Sequence, residues 1–151
     1  MLRTGVLIDP RLEAHEPGGW HPERPERIAA LLDALSGWHR DGLVPLAVRS
    51  AADDDLLLVR TLEHVRAVRD SGRHERFAFD PDTWTCPASD ATARLAGGAG
   101  LAAVDAVMAD EVDNAFALVR PPGHHAEADG PRGFCLFSFR SLAGGRVEFH
   151  P

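Results

Sequence analysis

Residues 115–126 read AFALVRPPGHHA, an apolar run that leads into two prolines, a glycine and two adjacent histidines. The apolar part, residues 115–119, predicts a short buried strand, and the prolines end it. The strand therefore delivers the imidazoles of His124 and His125 to its carboxyl end. Ligands of open α/β sheets bind at the carboxyl ends of the strands, so this stretch indicates both the fold class and the place of the site.

The rest of the chain follows the order expected of an α/β domain with a parallel sheet. Strands are predicted at residues 5–8 and 43–48, the second as a Pro-interrupted edge strand, and one or two short helices between 56 and 68. A long Ala-rich helix is predicted over residues 89–109, with glycines that indicate close packing. Residues 71–87 are predicted as a loop, and residues 138–151 show neither helical nor strand periodicity.

One further helix is predicted to begin at Pro25, with Glu26 in its first turn to complement the helix dipole. Its apolar residues recur at helical spacing. They are Ile28, Leu31, Leu32, Leu35 and Trp38.

Composition limits the function classes. A chain of 151 residues with 44% hydrophobic residues buries one core, which predicts a single globular domain. The formal net charge is −7, and no basic stripe is present for nucleic acid or an anionic membrane. No apolar run approaches the length of a membrane span, and the first residues lack a secretory signal. We therefore expect a cytoplasmic protein.

The two cysteines, Cys86 and Cys135, are too few for a disulfide framework and form no CxxC pair. A four-cysteine structural zinc site is excluded for the same reason. The chain has no tyrosine and no lysine, so all 16 basic residues are arginines.

The histidine pair suits acid–base chemistry better than metal chelation by both rings, because consecutive side chains diverge. The two rings can flank a reacting group, one taking a proton from water and the other stabilising or protonating what leaves. The alternative is a solvent-facing turn whose histidines have no chemical role.

Four features together favour the chemical interpretation: HPERPERI at 21–28, FDPDTW at 79–84, RPPGHHAEADGPRGFCLF at 120–137, and the Ala/Gly-rich helix between the last two. This set resembles the histone deacetylase and acetylpolyamine amidohydrolase superfamily, in the branch with the sequence RPPGHHA. The resemblance implies an arginase/deacetylase-like parallel-sheet domain with helices on both faces. It also implies removal of acyl groups from lysine or polyamine amines by a zinc-activated water.

The resemblance assigns candidate roles to six residues. His124 and His125 would lie beside the reacting water, with His125 as the general base. Gly133 and Phe134 would line the narrow tunnel that holds the substrate's aliphatic stem, where an aromatic face packs on methylenes. Ordinary core packing is the alternative for Phe134.

The other two candidates lie before the histidine pair in the chain. Asp82 would hold substrate backbone at the rim of the site, although Asp80 could take that position, and either could be a simple turn former. Arg27 would hold the released acid in an internal cavity, and a helix-surface arginine is its alternative. His21 and Pro22 are expected only to fix the loop that presents Arg27.

The chain departs from the family after Phe137. We expect residues 1–137 to be the N-terminal part of a deacetylase-like domain and residues 138–151 to be a divergent tail, in which His150 is not a metal ligand. The family's zinc ligands, the carboxylates that orient the histidines and the oxyanion-site tyrosine or histidine would all lie further along. Arg60 also stands where relatives commonly have histidine.

These departures lead to three expectations. No zinc ligand is identifiable in this chain, so it is expected to be inactive alone, or to be a non-catalytic module that binds an acylated amine or pairs with another subunit. It would supply three of the family's eight parallel strands. The last of these would face solvent, which predicts marginal stability or the need for a partner.

Overall fold

The structure of the chain, a computed structural model, describes residues 1–37 and 40–146. In chain order its elements are β1 (Thr4–Leu7), a 3₁₀ turn (Pro10–Ala14), α1 (Glu26–Ser36), β2 (Leu43–Pro45), α2 (Asp53–Leu57), α3 (Leu62–Ser71), β3 (Phe77–Asp80), β4 (Thr83–Thr85), α4 (Ser89–Met108), β5 (Asn114–Ala117) and α5 (Phe139–Arg146). Trp38, predicted as the last apolar position of α1, lies outside the described residues, as does His150.

The main sheet has three parallel strands in the order β2-β1-β5. In the register, Gly5 of the central strand lies opposite Val44 on one side and Ala115 on the other. The three predicted strands, the edge position of β2 and the parallel α/β class are therefore confirmed. Because the loops after β1 and β5 leave from the same edge of the sheet, they lie side by side.

Helix α4 packs against β1, β5 and α5. A Cβ atom at Gly98 would collide with the carbonyl oxygen of Arg49, so only glycine permits this close approach. The close packing predicted from the small residues is confirmed. Although α4 has 20 residues, no helix in the described part of the chain is long and apolar enough to cross a bilayer.

Two of the predictions are wrong. Within residues 71–87, predicted as a loop, β3 and β4 form an antiparallel hairpin closed at Asp80–Thr83.

The second concerns residues 138–151, which were predicted to lack regular structure. Here α5 forms because Leu142 packs into the main core and is 1% exposed. Its methyl groups fit against Gly97 of α4, where a Cβ would lie 3.2 Å away. A tertiary contact thus stabilises a helix that local sequence does not favour.

Candidate active site

One cleft of about 450 Å³ collects the predicted site residues. Its walls come from the loop after β1, the β3–β4 turn and the loop after β5. The lining residues are Pro22, Glu23, Arg27, Asp82, Pro122, His124, His125, Gly133 and Phe134. All six candidates from the sequence are therefore brought together. The other three lining residues, to which no chemical role was assigned, are Pro22, Glu23 and Pro122.

The two histidine rings lie against each other at the cleft, with their centroids 4.0 Å apart and their planes inclined at 57°. Both side chains are exposed to solvent. Their backbone is fixed from behind by Cys135, whose buried sulfur accepts hydrogen bonds from the N–H groups of His124 and His125, each at 3.4 Å. The GFC cysteine thus orients the RPPGHHA loop, a contact that the sequence did not reveal.

Gly133 and Phe134 form the wall that faces His125. Gly133 has φ +55°, and a Cβ there would lie 3.0 Å from Cδ2 of His125, so a side chain would displace the imidazole. Phe134 also has a left-handed backbone, with φ +67°, which is costly for a residue with a bulky side chain. Its N–H donates to Oγ1 of Thr83 at 3.2 Å, which holds it in this conformation.

His21 supports the same wall from the other side. Its ring meets Phe134 edge-on at 4.6 Å between centroids. Its Nδ1 accepts from the Glu23 N–H at 3.1 Å, and its Nε2 donates to the carbonyl oxygen of Asp82 at 3.0 Å. His21 therefore connects the N-terminal loop to the hairpin turn and to the aromatic wall, a larger structural role than the one expected of it.

The two aspartates of the hairpin turn have different positions. Asp82 is exposed and lines the cleft, whereas Asp80 closes the turn by accepting from Asp82 N–H and Thr83 Oγ1, both at 3.0 Å. Burial opposes the charge on Asp80, but these hydrogen bonds outweigh it and lower its pKa. Of the two alternatives, the structure places Asp82 at the cleft.

A buried ion pair anchors the start of the histidine loop. The Arg120 guanidinium donates from Nε and Nη2 to the Glu23 carboxylate at 2.9 and 2.8 Å, and both side chains are 1% exposed. Nη1 of Arg120 donates to the Leu12 carbonyl oxygen at 2.9 Å. Sequence reasoning missed this pair, although an arginine at the end of a buried strand signals that a carboxylate must be near.

His15 completes this buried cluster as a neutral imidazole. Burial, with the Arg120 charge and His21 adding to it, lowers its pKa from 6.5 to about 3. Its Nε2 lies 3.5 Å from Oε2 of Glu23, which would favour a charged ring, but Arg120 already neutralises that carboxylate. Nδ1 forms a hydrogen bond of 2.8 Å with Oγ of Ser89 at the start of α4.

Arg27 lies in the first turn of α1 and reaches the cleft with a side chain that is 57% exposed. Its Nη1 is 3.5 Å from Oε1 of Glu23. The side chain is thus both a helix-surface arginine and a lining residue of the cleft, and no internal cavity encloses it among the described residues.

The described residues do not fit a catalytic zinc ion. Three protein ligands are the norm for such an ion. Across residues 1–37 and 40–146, no three His, Cys, Asp or Glu side chains come together in a way that could hold a metal. The groups that the described residues bring to the cleft suit acid–base chemistry and packing.

Comparison with protein families gives one match over most of the chain. The histone deacetylase domain family covers residues 21–143, which includes every residue of the cleft from Pro22 to Phe134. It also includes the first part of α5, beyond the boundary predicted at residue 137.

Individual relatives agree with this match. The chain is 39% identical to human polyamine deacetylase HDAC10 over 83% of its own length and 20% of that protein's. It is 40% identical to a histone deacetylase-like amidohydrolase of Pseudomonas aeruginosa over 83% of its length and 36% of that protein's. The crystal structure of the HDA15 HD domain superimposes with a TM-score of 0.87 at 34% identity, covering 94% of this chain and 42% of that one. The chain thus spans less than half the length of each of these relatives.

Proposed function

The chain belongs to the histone deacetylase family, and on that premise we propose that its cleft binds an acylated primary amine, on a lysine side chain or a polyamine, as one part of a deacetylase site. The observation that carries the proposal is the convergence of Arg27, Asp82, the histidine pair and Phe134 on one cleft.

Each group has a role that its position supports. The Phe134 ring packs on the aliphatic stem of the acylated amine, and Gly133 leaves room for that stem beside His125. The exposed Asp82 carboxylate at the cleft accepts hydrogen bonds from substrate N–H groups. Arg27 attracts the carboxylate that deacetylation releases.

The histidine pair accepts and donates the protons of the reaction. When water attacks the amide carbonyl a C–O bond forms, and His125 accepts the proton that the water loses. Collapse of the tetrahedral intermediate breaks the C–N bond, and the leaving amine takes a proton from the pair. The products are a carboxylic acid and a free amine.

The described residues of this chain form no binding site for the zinc ion of the family. Because these residues offer no three-ligand group, we propose that hydrolysis requires metal ligands from outside them and that the chain by itself does not turn over. The residues that we assign to the pair and to the cleft walls need no metal to bind and orient the acylated amine.

The proposal is tested by two measurements on the purified chain. Calorimetry with an acetyl-lysine peptide and with an acetylated polyamine should show binding that is lost on Phe134→Ala and absent for the corresponding free amines. An acetate-release assay with added zinc should show no turnover. Absence of binding for both acetylated compounds would contradict the cleft assignment, and robust turnover would contradict the claim about the metal ligands.

A second candidate function is a non-catalytic module that binds acylated amines. The lack of a metal-binding group among the described residues favours it. The two candidates predict different rates of acetate release once the missing metal-binding side chains are supplied. A partial active site should then release acetate, whereas a module that only binds acylated amines should not.

A further inference from the structure

The Arg27 guanidinium is held only loosely in the cleft. Its Nη1 donates to Oε1 of Glu23 across 3.5 Å, which is the outer limit for a hydrogen bond. That carboxylate is already neutralised by Arg120, whose Nε and Nη2 donate to it at 2.9 and 2.8 Å. The Arg27 side chain is 57% exposed and lines the cleft. Its charge is therefore available to a carboxylate that enters the cleft.

The contacts of His21 show where Arg27 lies along the cleft. The His21 ring packs edge-on against Phe134, and its Nε2 bonds to the carbonyl oxygen of Asp82. Its other nitrogen, Nδ1, accepts from the N–H of Glu23, the residue that Arg27 contacts. Because the two ring nitrogens point in different directions, Asp82 and Arg27 lie on opposite sides of this ring contact.

The acyl group of a bound substrate would lie on the Arg27 side. In the orientation proposed above, Asp82 holds the substrate N–H groups and the stem packs on Phe134. The stem then runs away from Asp82, and the carbon atoms beyond the reacting carbonyl continue toward Arg27. A guanidinium at that position matches a carboxylate, which it can bind through two parallel hydrogen bonds.

We propose that the cleft prefers acyl groups that end in a carboxylate, such as the succinyl group, over uncharged acyl groups of the same length. Arg27 pairs with the terminal carboxylate while the amide carbonyl lies at the histidine pair. This inference rests on the proposed function and names the class of acyl group that the same site takes.

The charges around Arg27 leave room for such a carboxylate. Glu23 is paired with Arg120, and Glu26, in the first turn of α1, lies 3.9 Å from Nε of Arg24. The net charge of −7 is spread along the chain, and exposed charges farther away than about 8 Å are largely screened at physiological ionic strength. The guanidinium therefore sets the sign of the potential where the acyl group ends.

The experiment uses calorimetry to measure the binding of three peptides of one sequence to the purified 151-residue chain. The peptides carry acetyl-lysine, butyryl-lysine or succinyl-lysine. Butyryl and succinyl groups differ only in having a methyl group or a carboxylate at the end, so the ratio of their dissociation constants isolates the effect of the charge. We expect the succinyl peptide to bind at least about threefold more tightly than the butyryl peptide, as for a partly exposed ion pair.

Three variants show whether Arg27 causes this preference. Arg27→Met removes the charge and keeps an unbranched side chain, so the ratio should fall to about one. Arg27→Lys keeps the charge without the planar fork and should retain part of the preference. Arg24→Met is the matched control, because Arg24 is a neighbouring arginine whose side chain is 58% exposed and does not line the cleft. It should keep the full preference, and circular dichroism should show that all three variants are folded.

Equal affinities for the butyryl and succinyl peptides would overturn the inference. A preference that persists in Arg27→Met, or that is lost equally in Arg24→Met, would also overturn it. In each of these cases, binding of the acetyl peptide would leave the proposed function standing. Absence of binding for all three peptides would instead contradict the proposed function, and this inference would fall with it.

Discussion

The two sides of the histidine loop are built differently. On one side the buried Glu23–Arg120 pair and the Cys135 sulfur hold the loop with short, specific contacts. On the other side, no strand within residues 1–37 and 40–146 pairs with the outer edge of β5, and the Phe116 side chain is 61% exposed. Buried polar pairs fix geometry at the cost of desolvation, whereas exposed apolar faces need a partner.

The described residues fix only one of these two sides. The N-terminal side is closed, so the positions of Arg27, Asp82 and the histidine pair follow from this sequence alone. The β5 side is open, so whatever lies beyond the histidines is supplied from outside the described residues. Substitutions on the closed side should therefore cost stability, and substitutions on the open side should not.

The largest effect is expected from Glu23→Gln. The change leaves the Arg120 guanidinium buried without a counter-charge, which costs about 3–5 kcal/mol of unfolding free energy. Urea denaturation monitored by circular dichroism measures it. The matched control is Glu127→Gln, which breaks the exposed Glu127–Arg132 pair of 2.7 Å and should change stability little. Equal losses at the two sites would show that the closed side is not special.

Acid should lower the unfolding free energy through the buried cluster on the closed side. The folded chain keeps His15 neutral down to a pH of about 3, whereas the unfolded chain takes up a proton near its ordinary pKa of 6.5. The contribution of His15 is therefore complete above pH 6.5 and falls as the pH drops toward 3, by about 3 kcal/mol at pH 4. Burial also lowers the pKa of His64, which acts in the same direction.

Denaturation at pH 7 and pH 4 checks this. His15→Gln should lose less stability over that interval than the unmodified chain, because it removes one of the groups that take up a proton on unfolding. An unchanged pH dependence in the variant would mean that His15 is not held neutral.

Much of this architecture could be predicted from the sequence. Strands at residues 5–8 and 115–119 and the long Ala-rich helix are short-range patterns, and parallel topology then brings the loops after β1 and β5 together. The Glu23–Arg120 pair joins residues that are 97 positions apart, so no local pattern reveals it. The hairpin was missed because Pro81 and the charges around it outweighed the alternation of Phe77, Phe79 and Trp84.

Gly133→Ala should have a smaller effect at the wall of the cleft. A left-handed backbone costs a residue with a Cβ atom about 1–2 kcal/mol, and the new methyl group would press on the His125 ring. Thermal unfolding measures the loss. Gly130→Ala is the control, since a Cβ there meets nothing within 4 Å and should cost less. If the two substitutions cost the same, the Gly133–His125 contact is not tight.

The smallest effect is expected on the open side. Phe116→Ser removes an exposed ring, so the unfolding free energy should change by less than about 0.5 kcal/mol. Denaturation midpoints for this variant and the unmodified chain measure the difference. A loss above about 1 kcal/mol would mean that Phe116 is packed in the isolated chain and that the two sides of the histidine loop are equally closed.

NMR of the histidine rings during titration with an acetyl-lysine peptide shows whether the cleft holds an acylated amine against the histidine pair. Saturable shifts should appear at His124 and His125 and at the nearby His21, but not at His74, which lies outside the cleft. The same peptide without its acetyl group should have no effect. Shifts absent from the histidine pair, or equal for the two peptides, would contradict the claim.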